Sequence, residues 1–230
     1  MNKKVFYKIA AVVSAISGLI ILAAVVVPIL SYESSSAKLY PKLLSPLTPN
    51  KVLSGETQNL DYTKASNWFP AAASKEKFAS GNISFYTLSI PKLKIENASV
   101  AIGGEDLAKS LIQYPGTAVP GRPGNSVIFG HSILPIFFNP KDYISIFSTL
   151  PSLKKGDDIE VNYDGATYKY KVESLFEVLP SDIQVLEQDS TDSFLTLVTC
   201  VPPGDPRKPK RLIVRARIVP LKEANEALGR

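Results

Sequence analysis

Thr196-Leu197-Val198-Thr199-Cys200 is an apolar run rich in β-branched residues that reads as a strand and ends on the sole cysteine of the chain. Working outward from it, the sole histidine, His131, stands in Phe129-Gly130-His131-Ser132, and a basic cluster around Arg211 follows the cysteine by eleven positions. A thiolate is the reactive form of cysteine, an imidazole beside it can hold or exchange its proton, and a guanidinium can stabilise developing negative charge. Cys200, His131 and Arg211 are therefore a candidate catalytic trio. Taken alone, Cys200 has a plainer reading as a small buried hydrophobe at a strand end.

Three stretches resemble the sortases, which are cysteine transpeptidases: Thr196 to Cys200, the following strand Lys210-Arg211-Leu212-Ile213-Val214, and Asn125-Ser126-Val127-Ile128-Phe129-Gly130-His131. The resemblance runs from about Phe85 to Val219 and includes Ser89-Ile90-Pro91-Lys92-Leu93, Pro115-Gly116-Thr117 and Leu153-Lys154-Lys155-Gly156-Asp157. It implies a mostly β fold, a closed eight-stranded barrel with a few short helices; the one N-terminal transmembrane helix expected before it is read from the uncharged run Ile9 to Leu30 and not from the resemblance. It also implies that Cys200 is the nucleophile of a thioacyl intermediate and that His131 is general acid and then general base. Arg211 would steady the oxyanion, and Thr199 would touch the substrate peptide. The loop Val178 to Asp192, with Val185 and Leu186 as apolar contacts, would grip the sorting signal. Substrates would be surface proteins with a C-terminal motif of the Leu-Pro-x-Thr-Gly type, and the acceptor an amine of cell-wall peptide or pilin.

The residues leave some of these roles open. Strand alternation puts Arg211, Arg215 and Arg217 on one face, so parity allows three arginines, with Arg215 the runner-up. Thr199 equally suits ordinary β-branched filling of a strand. No cofactor is expected. Some sortases hold calcium in a loop comparable to Asp157, Asp158 and Glu160, but a solvated strand start is the plainer reading of such a group.

The formal net charge of +5 includes Lys3, Lys4 and Lys8, which leaves +2 on the remaining residues and little support for nucleic-acid binding. A lone cysteine can form no internal disulfide. From Ile9 to Leu30 the chain carries no charge, and at about 1.5 Å per residue this run is long enough to cross a bilayer core. The lysines before it place the N-terminus in the cytoplasm and the bulk of the chain outside. The competing reading, a signal peptide cleaved near Ser35-Ser36-Ala37, asks for a shorter apolar run and a nearer site.

Ser31 to Ser80 is rich in Ser, Pro, Lys and Asn and reads as a spacer. Within it, Asn67-Trp68-Phe69-Pro70 could dock over the groove, as the lid of pilin-assembling sortases does; a hydrophobic latch that orders the linker is the simpler reading. Strands are expected at Phe85 to Ile90, Ala98 to Ile102, Val127 to Gly130, Asp158 to Tyr163, Thr167 to Leu179, Phe194 to Cys200 and Arg211 to Val219. Asp164-Gly165 marks a hairpin, and short helices suit Glu105 to Gln113, Tyr143 to Thr149 and Ser181 to Glu187. The chain thus divides into a cytoplasmic tip and anchor (1–31), an extracellular linker (32–80), a catalytic barrel (81–222) and a tail (223–230). The apolar stretch Ile133 to Asp142 is a candidate to rim the groove or touch the membrane. Two other functions compete with transpeptidation: a cysteine endopeptidase with water as acceptor, and a non-catalytic surface binding module.

Overall fold

A tight turn shows how local sequence builds the sheet: Asp164 and Gly165 both take positive φ (50° and 74°) and join Asp158–Tyr163 to Ala166–Val178, as a two-residue hairpin requires. The computed structural model describes residues 3–40, 61–70, 78 and 84–220. The expected tail 223–230 and most of the expected linker lie outside the described residues.

Eight strands form the barrel: β1 Ser84–Ile90, β2 Ile95–Ile102, β3 Leu111–Gln113, β4 Gly124–Phe129, β5 Asp158–Tyr163, β6 Ala166–Val178, β7 Ser193–Val201 and β8 Lys210–Ile218. Their order around the closed sheet is β1-β2-β3-β4-β7-β8-β6-β5. Closure leaves no open edge. Only the β2/β3 and β4/β7 pairs are parallel. Such pairs need a long crossover, and the one from β4 to β7 carries β5 and β6.

Side chains that alternate along each strand separate two apolar clusters. Leu195, Leu197 and Val201 of β7 and Leu212, Val214 and Ala216 of β8 join the barrel interior with Leu88, Val100, Ile128 and Phe147. The opposite parity, Val198, Cys200 and Ile213, joins a second cluster with Val127, Phe129, Trp68 and Phe69. That second cluster explains why every residue of β7 is buried. The strand is covered on both faces, by the barrel interior on one and by residues 61–70 on the other.

β3 went unforeseen, and the helix expected over Glu105 to Gln113 is instead a turn followed by this strand. Tyr143 to Thr149 forms turns, and Ser181 to Glu187 holds only the 3-10 turn Ile183–Leu186. The N-terminal helix, α1, runs Lys3–Leu39 and passes through the boundary expected at residue 31. Its polar last turns are held by the barrel: Tyr32 donates to Glu177 Oε1 at 2.8 Å, and Tyr40 donates to the Pro151 carbonyl at 3.1 Å.

Candidate active site

β7 and β8 are adjacent antiparallel strands, and their ladder sets Cys200 directly opposite Arg211. β4 runs parallel to β7 with Phe129 opposite Val198, and the Gly130 N–H continues the ladder to the Val198 carbonyl at 3.1 Å. His131 follows two residues past the end of β4, as Cys200 follows Val198 by two on β7. Three contacts hold this register: Thr199 Oγ1 donates to the Gly130 carbonyl (2.8 Å), Ser132 Oγ donates to the Cys200 carbonyl (2.6 Å), and the Phe147 N–H donates to the His131 carbonyl (2.9 Å). Gly130 is required here, because a Cβ would collide with the Phe147 ring and Leu111.

Residues 61–70 lie over the trio. Backbone bonds from Ala65 to the Glu105 carbonyl (3.0 Å) and from Leu107 to the Thr63 carbonyl (2.8 Å) fasten this segment to the barrel. Trp68 stacks on Phe129 at 5.3 Å, and its ring lies 5.7 Å from the His131 ring. Its indole N–H donates to the Tyr62 carbonyl at 2.9 Å. Arg211, with no exposed surface, donates from Nη2 to the Trp68 carbonyl (3.3 Å) and from Nη1 to the Lys208 carbonyl (2.8 Å). Its guanidinium lies between the Tyr62 and Trp68 rings, at 5.4 Å and 5.5 Å from their centres. The aromatic patch of the sequence thus covers the site.

This cover shapes the electrostatics. Burial pushes the Cys200 thiol up, against the pull of Arg211 and Lys208. Burial, with Lys208 adding to it, lowers His131 from 6.5 to about 4, while Asp61 and Asp106 act in the opposite sense. Under the lid the pair is neutral thiol and neutral imidazole, and the thiol is not activated. His131 Nε2 and Arg211 Nε are buried without a hydrogen-bond partner in the protein. Such orphans cost on the order of 1–3 kcal/mol each.

The other expected residues fall into place unevenly. Val185 packs in the same cluster as Cys200 and Trp68, with Leu186 beside it, and Asn125 ties the loop down by donating to the Val185 carbonyl at 3.1 Å. Thr199 is not brought to the groove: alternation turns it to the interior side with Leu197 and Val201, where its hydroxyl braces Gly130, the residue before His131. Arg215 faces Thr196, four residues from Cys200, and stacks on Phe194 at 4.2 Å. Asp157, Asp158 and Glu160 are each paired with a lysine, Lys92, Lys171 and Lys169 respectively. Among the described residues no group of three potential metal-ligating side chains is present. Lys208 and Tyr62 were overlooked; only the position of Lys208 inside the basic cluster before Arg211 pointed to it.

A closed barrel with a cysteine and an arginine paired across one hairpin and a histidine just past the end of the next strand defines a barrel-borne cysteine catalyst. The Sortase domain profile matches residues 88–219, and the chain belongs to the sortase family. It is similar to Sortase A of Bacillus anthracis, 31% identical over 150 residues, covering 64% of this chain and 63% of that one. It also resembles the structures of a Sortase D5 transpeptidase from Clostridium perfringens and of a lid mutant of Sortase A from Corynebacterium diphtheriae. The first shares 25% identity at a TM-score of 0.51 and covers 64% of this chain and 93% of that one. The second shares 25% identity at a TM-score of 0.52 and covers 84% and 92%. The chain spans less than two thirds of the length of the curated relatives it matches.

Proposed function

We propose that this protein is a membrane-anchored cysteine transpeptidase that cleaves a C-terminal sorting motif of the Leu-Pro-x-Thr-Gly type and transfers the acyl group to an amine. The Cys200 sulfur attacks the scissile carbonyl as its proton passes to His131. Arg211 stabilises the oxyanion from the facing strand, at the position where it now holds the Trp68 carbonyl. His131 then protonates the departing amine and leaves a thioester on Cys200. An incoming amine attacks the thioester, gives its proton to His131, and the thiol is regenerated. The observation that carries this reading is the cross-strand pairing of Cys200 with Arg211, with His131 two residues past the end of β4, where that strand runs parallel to β7.

Two features support the remaining assignments. His131 borders a groove of about 280 Å³, lined by Thr63, Ile133, Asp205 and Lys208, through which an acceptor amine would reach it. A cell-wall peptide or a pilin lysine would be that acceptor. The apolar part of α1 is long enough to span a bilayer, and Lys3, Lys4 and Lys8 would keep its start in the cytoplasm. Ser36, in the small-residue stretch that resembles a cleavage site, is helical and buried, which favours a retained anchor.

Incubating the full chain with a library of sorting peptides and candidate amines, with products read by mass spectrometry, tests the proposal. Ligated product that disappears in Cys200→Ala is expected. Hydrolysis without ligation at any amine would make the protein an endopeptidase, and no turnover of any peptide would leave only a binding role.

A further inference from the structure

The contact between α1 and the barrel starts inside the apolar part of the helix. Pro28, Tyr32, Ser36 and Tyr40, spaced by four, form a buried or half-buried stripe toward the barrel. Beyond the Tyr32 and Tyr40 hydrogen bonds, Lys210 bridges the two bodies through Glu177 at 3.0 Å and Glu33 of α1 at 3.9 Å. Since the uncharged run ends at Leu30, Pro28 belongs to its last turn. Among the described residues, the barrel therefore touches the helix directly at the end of its uncharged run.

Pro28 lines a cavity of about 420 Å³ between helix and barrel, and Pro135 lines it from the barrel side. Pro135 opens the 3-10 turn Pro135–Phe137, whose Ile136 and Phe137 are 61% and 60% exposed. Among the described residues outside α1 they are the only adjacent pair of exposed large hydrophobics. The turn is firmly mounted: the Phe137 N–H donates to the Leu134 carbonyl at 2.9 Å, Leu134 is buried, and Phe138 packs against the barrel core. An exposed Lys141 follows, a residue type that favours anionic headgroups. A single exposed apolar side chain needs no explanation, but a rigid pair beside the exit of a membrane-spanning helix does.

We propose that Ile136 and Phe137 insert into the outer interface of the bilayer that α1 spans, giving the barrel a second lipid contact that fixes its tilt and the direction in which the groove faces. The proposal rests on α1 being a membrane span, and its test separates the two. The full chain carrying Cys200→Ala, which removes the sole thiol, is reconstituted into nanodiscs whose lipids bear brominated acyl chains. A single environment-sensitive fluorophore is attached at Phe137→Cys, at Val12→Cys on α1, or at Ala166→Cys beside the β5–β6 hairpin. The expected result is quenching and a blue-shifted emission at positions 12 and 137, with neither at 166. Quenching at 12 but not at 137 overturns the lipid contact and leaves the span standing, whereas no quenching at 12 refutes the span itself. A blue shift at 137 that depends on protein concentration and is insensitive to brominated lipid would assign the turn to a second copy of the chain and overturn the proposal. The double variant Ile136→Ser/Phe137→Ser, labelled at Lys141→Cys, should lose at least half of the quenching seen at that position in the parent.

Discussion

Replacing Trp68 by alanine should convert a shielded thiol into a reactive one. Trp68 is fully buried, stacks on Phe129, and donates its indole N–H to Tyr62. Truncating a tryptophan in such a setting costs about 3–5 kcal/mol. None of that is recovered in the open form, so the closed-to-open ratio should fall by on the order of 10²–10⁴. Cys200 is 2% exposed under the lid, so an alkylating reagent meets it only when the lid lifts. Where closing outpaces the reaction, the alkylation rate follows the open population. The second-order rate of carbamidomethylation of Cys200 by iodoacetamide, followed by mass spectrometry, should therefore rise about a hundredfold or more in Trp68→Ala, up to the rate of a fully open site. Phe85→Ala, at an exposed aromatic, should leave it unchanged. An unaltered rate in a folded Trp68→Ala variant would refute the argument that residues 61–70 govern access to the cysteine.

Acid should loosen the same cover. Because His131 is held near 4 in the closed form against about 6.5 when free, closure is fully favoured above pH 6.5 and weakens as pH falls through that value toward 4. At pH 5.5 the open population should be about tenfold higher than at pH 8, measured as Cys200 alkylation divided by that of an unstructured thiol at each pH, and His131→Gln should abolish the difference. Arg211→Ala should lower kcat/KM about a hundredfold or more, with poor rescue by Lys, which lacks the planar fork. Arg215→Ala should stay close to the parent, since that guanidinium stacks on Phe194; the reverse ranking in steady-state assays would move the oxyanion role to Arg215. Thr199→Val, which removes the bond to the Gly130 carbonyl, should cost about 1 kcal/mol of stability and lower kcat more than KM; a pure KM effect would make Thr199 a substrate contact instead.

What the sequence disclosed followed from how locally each feature is encoded. The Asp164-Gly165 hairpin and the strands around it carry their own turn chemistry and alternation, so they were legible. β3 has three residues, too few for a period to register, and exists because β2 and β4 flank it. The Ser-rich last turns of α1 read as spacer because their helicity is sustained by contacts with Glu177 and Pro151, more than a hundred residues away. Parity narrowed the arginine to three candidates but could not choose among them. The choice lies in the cross-strand register, which pairs Arg211 with Cys200 and Arg215 with Thr196. Thr199 stayed open between substrate contact and strand filling because one strand shows alternation without showing which parity faces inward.

The Cys200–Arg211 pairing has a bearing on engineering. Eight consecutive residue pairs align β7 with β8, and the nucleophile and the guanidinium sit on the second-to-last of them, beside the connecting segment 202–209. Their spacing is thus inherited from the ladder and not from the connector. That segment is the one to diversify when a different acceptor is wanted, provided that Gly204, whose Cβ would collide with Leu134, and Asp205 and Lys208, which line the groove beside His131, are kept, the Lys208 carbonyl also holding Arg211.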